Sequence, residues 1–64
     1  MPTEFCQGVA TAIADEAEAA EFYRRLANMA PTTTARRTIR AIRRDELRHR
    51  RSFTRIQLRY CQTQ

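Results

Sequence analysis

Apolar residues recur along this 64-residue chain in alternating steps of four and three, the period of a helix that shows one stripe to a partner. The first stripe runs Phe5, Val9, Ala12, Glu16, Ala19, Tyr23, Leu26, Ala30. The second runs Ala35, Ile39, Ile42, Glu46, His49, Phe53, Ile56, Tyr60. Thr3 is a plausible N-cap and Glu4 suits the positive end of a helix dipole. The first helix is therefore expected over about 4–30, ended by Pro31. Thr32, Thr33 and Thr34 supply a turn over 31–34 and a second cap, and the second helix is expected over about 35–60. Gln62-Thr63-Gln64 is expected to fray. The pattern defines an all-α class: one domain, 1–64, folded as an antiparallel two-helix hairpin.

Three seam positions break the rule. Glu16, Glu46 and His49 are ionisable where the pattern demands apolar side chains. If the turn centres on residues 31 and 32, facing residues have numbers that sum to about 62 or 63. Glu16 and Glu46 then lie level on facing helices, Tyr23 faces Ile39, and His49 faces Ile13, one turn from Glu16. Glu46 and His49 are three residues apart and share one helix face. Two carboxylates in an apolar seam repel each other and lose hydration; a divalent cation relieves both problems. A lone hairpin leaves its seam open on one side. Two copies related by a two-fold axis would enclose four glutamates and two histidines, the donor set of carboxylate-bridged di-iron and di-manganese four-helix bundles. Mixed oxygen and imidazole donors suit iron or manganese better than zinc or calcium.

Composition adds a charge asymmetry. All 12 basic residues are arginine, against 7 acids, for a net charge of +5. The first helix holds Glu4, Asp15, Glu16, Glu18 and Glu21 against Arg24 and Arg25. The remaining arginines follow Pro31 and face only Asp45 and Glu46, so the two halves attract each other. Asp15 and Glu18 flank Glu16, either as a solvated face or as an acidic approach for a metal ion. Asp45 either orients a ligand or balances nearby arginines. Tyr23 is a packing residue or a phenol that supports the site. No run is long and apolar enough to span a membrane, and no signal peptide is visible. Cys6 and Cys61 form no zinc pattern. They fall at the same open end of the hairpin, where a disulfide is the alternative to the expected reduced thiols of a cytoplasmic protein.

The stretch from Ile13 to Ala27 (IADEAEAAEFYRRLA), then Ala30-Pro31, then Ile39 to His49 (IRAIRRDELRH), then Phe53 and Ile56, resembles the ferritin-like superfamily. The likeness is nearest to rubrerythrin-type half-domains and to encapsulated ferritins with a two-helix subunit. Its specific part is a Glu, a Tyr seven residues on, a second Glu thirty after the first, and a His three further: Glu16, Tyr23, Glu46 and His49. The resemblance implies ferroxidase-type ligands at Glu16, Glu46 and His49, a supporting Tyr23, and metal entry past Asp15 and Glu18. It implies iron, two ions per homodimer, oxidised with O2 or peroxide, and dimers that assemble into a higher ring. It also implies localisation in the cytoplasm or inside a protein nanocompartment. The chain departs from that pattern in lacking a second helical pair, a rubredoxin-like Cys-x-x-Cys and a hydrophobic-glycine tail after Tyr60 for docking to an encapsulin shell. Three alternatives stand beside ferroxidase activity: peroxide reduction in the rubrerythrin manner, an arginine-rich module for RNA or another polyanion, and a structural hairpin. The polyanion reading rests on ten arginines, Arg36 to Arg59, spread around the outer faces of the second helix, which offers no aromatic stacking platform.

Overall fold

Helix α1 spans Thr3–Asn28 and helix α2 spans Thr33–Tyr60 in the computed structural model, which describes residues 3–61. The two lie antiparallel over their whole length in a rod of 48 × 15 × 14 Å. Residues 62–64, for which fraying was expected, lie outside the described residues. Thr3, expected as a cap, is the first helical residue instead.

The turn comes earlier than expected. α1 ends at Asn28, three residues before Pro31, because the residue preceding a proline is pushed out of helical backbone. The last turn tightens: the Met29 and Ala30 amides donate to the Leu26 and Ala27 carbonyls at 3.0 and 3.2 Å. Thr32 then adopts an extended backbone (φ −134°, ψ 159°), and its hydroxyl oxygen accepts from the Ala35 amide at 3.0 Å, capping α2. The connection thus occupies 29–32 instead of 31–34, and α2 begins two residues before the expected Ala35.

Helix–helix packing is displaced from the expected seam. The buried residues are Val9, Ala20 and Ala27, two of them alanines that let the backbones approach. Ala20 and Ala27 stand one position after the seam residues Ala19 and Leu26, a rotation of about 100° around the helix. α2 therefore sits on one edge of the α1 stripe. Phe5 on α1 and Ile42 and Tyr60 on α2, all seam residues, remain exposed. Burying one valine is worth roughly 1.5–3 kcal/mol, whereas ordering each residue's backbone costs roughly 1–2 kcal/mol. Such a core does not hold a hairpin by itself.

Two further ties join the helices. Arg36 and Arg43, expected on outer faces, are half-buried and reach back to α1. Arg36 Nε donates to the Ala27 carbonyl at 3.2 Å and its Nη2 to the Ala30 carbonyl at 3.4 Å. These carbonyls lie at the C-terminal end of α1, where the Ala27 carbonyl already accepts from the Ala30 amide, so a cation there also meets the negative end of the dipole. Arg43 Nε donates to the Ala20 carbonyl at 3.1 Å. At the open end, Cys6 and Cys61 form a disulfide with Cα atoms 5.6 Å apart. This corrects the expectation of free thiols: residues 55 apart in sequence are brought by the antiparallel register within bridging distance. The ion pairs of arginine lie within single helices, Glu21 with Arg24 and Arg25, and Asp45 with Arg48. Among the described residues, the attraction between acidic and basic halves therefore acts through no direct Arg–carboxylate pair between the helices.

Candidate metal centre

Midway along the rod, α1 contributes Glu16 and α2 contributes Glu46 and His49, with one donor atom from each within 4.8 Å of the others. His49 Nδ1 lies 3.7 Å from Glu16 Oε1 and 3.9 Å from Glu46 Oε1. Both distances exceed hydrogen-bonding range, so the imidazole bonds to neither carboxyl group. Glu16 Oε1 is buried and has no hydrogen-bond partner. Leaving a buried acceptor unmatched costs about 1–3 kcal/mol, and more if it is charged.

Electrostatics agrees with that frustration. The Glu46 carboxyl is held above its ordinary range, first by its interaction with the Glu16 carboxyl, then by burial and by the Glu16 charge. His49 acts in the opposite direction, too weakly to cancel these effects. The side chains of Glu16 and Glu46 are 19% and 23% exposed, while His49 is 59% exposed. The two acids are thus set into the hairpin and the imidazole stands at its open face.

The donor set fits a divalent cation. Two ligands on opposite sides of one small transition-metal ion are separated by about 4.2 Å. The donor atoms here are spread over 4.8 Å.

The other expected residues separate from this cluster. Tyr23 is half-buried and packs edge-on against Phe22, with ring centroids 5.6 Å apart. It stands seven residues, about 10.5 Å of helix rise, from Glu16 and makes no hydrogen bond to the three among the described residues. Asp15 and Glu18 are exposed beside Glu16. Asp45 binds Arg48 at 2.7 Å and so balances an arginine. The residues that sequence reasoning missed are Arg36 and Arg43. Their signal was positional, since both neighbour the row formed by Ile39, Glu46 and Phe53 on α2.

Comparison with known proteins returns nothing to set beside this geometry: no family model matches the chain, and neither a curated protein nor a solved structure is similar to it. Among the described residues no helix is long and apolar enough to cross a membrane.

Proposed function

We propose that this chain is half of a ferritin-like ferroxidase, in which two hairpins pair into a four-helix bundle and hold two iron ions between them. The observation that carries the reading is the convergence of Glu16, Glu46 and His49 on the hairpin's open face, with a buried Glu16 oxygen left unmatched. The exposed seam residues Phe5, Ile42 and Tyr60 lie in the same two stripes and give a second copy an apolar surface to cover. In such a dimer, Glu16, Glu46 and His49 of each copy would be the residues that hold Fe(II). Two ferrous ions held side by side can each give one electron to a single oxidant, O2 or peroxide. The protein's share is to fix the two carboxylates on facing helices with the imidazole beside them. Manganese would occupy the same donors.

Aerobic addition of Fe(II) to the purified chain tests the reading. Ferric absorbance in the near ultraviolet should rise faster than in buffer and saturate near one iron per chain. Glu46→Ala and His49→Ala should each remove that phase. Identical traces for the parent and both variants would defeat the proposal.

A further inference from the structure

On the flank of the hairpin away from Ile42 and His49, a groove of about 410 Å³ runs between the helices near the turn, lined by Arg24, Ala27, Asn28, Arg40, Arg43 and Arg44. Arg40 and Arg44 each stand two residues from Ile42, a rotation of about 200°, which puts them on the opposite side of α2. Pairing through the open face would leave this groove accessible. No acidic residue lines it. Arg24 is committed to Glu21 through bonds of 3.0 and 2.6 Å, and Arg43 uses its Nε on the Ala20 carbonyl. Among the described residues, Arg40 and Arg44 make no hydrogen bond or ion pair. Two uncommitted guanidinium groups and the free edge of a third therefore border one recess, with the Asn28 amide beside them.

We infer that this groove binds a small multivalent oxyanion of the phosphate class, with Arg40 and Arg44 as its principal donors. Arginine forks match the oxygens of phosphate in pairs and bring charge with direction. The helix end beside the groove does not oppose an anion as strongly as a bare C-terminus would, because Arg36 already occupies the Ala27 and Ala30 carbonyls. The lining also limits the ligand. Ala27 is its one apolar side chain and it has no aromatic ring, so nothing there would hold a base, a sugar face or an acyl chain. A free inorganic anion suits the recess better than a nucleic-acid strand, which would use the whole arginine surface of α2.

The test is calorimetric titration of the metal-free, disulfide-intact chain with pyrophosphate, repeated with inorganic phosphate and with a single-stranded oligonucleotide. Pyrophosphate should bind at one site, and the Arg40→Ala/Arg44→Ala double variant should weaken it by about a hundredfold, tenfold for each charge-assisted donor pair. Both side chains are exposed, so helicity and melting midpoint should be kept. Arg40→Lys/Arg44→Lys, which keeps charge and loses the forks, should also bind measurably worse than the parent. Arg37→Ala/Arg59→Ala removes equal charge elsewhere on α2, at positions that line neither this groove nor the recess bordered by Arg50, Arg51 and Arg55, and should leave pyrophosphate affinity within about twofold of the parent. Equal losses in the two alanine variants, full affinity in the lysine variant, or no binding of pyrophosphate at millimolar concentration would each overturn the inference. So would an oligonucleotide that binds tightly and is weakened equally by both alanine variants, since that describes a diffuse polyanion surface.

Discussion

Reducing the Cys6–Cys61 bridge should nearly unfold the isolated hairpin. The bridge joins positions 55 residues apart, so it closes almost the entire described chain into one loop. In the chain-entropy account, a loop of that length removes about 4 kcal/mol of freedom from the unfolded state. Native stability of small domains is only about 5–15 kcal/mol, and here the buried core is one valine and two alanines. One kcal/mol shifts the midpoint of a domain this small by roughly 8 °C, so the loss corresponds to roughly 30 °C. The assay is far-ultraviolet circular dichroism during heating, at low protein concentration with chelator present, comparing the oxidised chain, the chain with reductant, and Cys6→Ser. Reductant should lower the parent's midpoint to that of Cys6→Ser and leave the variant unchanged. A midpoint that moves by less than about 5 °C would refute the reasoning, because the loop would then not be limiting the unfolded state. If Cys6→Ser regains stability as its concentration rises, pairing of copies has taken over the same task.

Other expectations follow from the same structure. Arg36→Ala should cost about 1 kcal/mol in urea melts, since the Ala30 carbonyl loses its donor while the Ala27 carbonyl keeps the Ala30 amide, and Arg37→Ala, on an exposed position, should cost little. Ile42→Glu should leave the hairpin helical but keep it monomeric in analytical ultracentrifugation, because it places a charge in the exposed stripe. For pH, the raised Glu46 carboxyl binds its proton more readily when folded than when unfolded. Metal-free protein should therefore gain stability as pH falls from 7 toward the ordinary glutamate value of 4.5, and Glu46→Gln should flatten that gain. Below that value the trend should turn, because Glu21, lowered chiefly by its hydrogen bond to Arg24, then loses its charge. Metal-loaded protein should show the reverse slope above pH 4.5, since protons compete with the cation for Glu46.

Both helices, their antiparallel pairing and the three clustered side chains were readable from spacing alone. A four-three repeat with one proline leaves few other arrangements, and Glu46 and His49 share a face by arithmetic. The row that packs was not readable. Ala19 and Ala20, or Leu26 and Ala27, are equally apolar in print, and choosing between adjacent rows depends on how closely two backbones approach. That closeness came from alanine on α1 and from Arg36 and Arg43, whose long stems fold over the helix instead of into solvent. His49 reads as a seam residue, yet in the hairpin it lies largely open, because the helices pack along a row rotated from the expected seam. The disulfide was legible only in part: the register put Cys6 and Cys61 at the same open end, but nearness alone did not decide between a bridge and two thiols.

Native mass spectrometry of the chain loaded anaerobically with Fe(II) tests the central claim most directly. The account predicts a species of two chains and two metal ions, with Glu16→Gln and His49→Ala losing metal in proportion to the donors removed. A parent that stays a metal-free single chain, or variants that keep the same metal content as the parent, would contradict it.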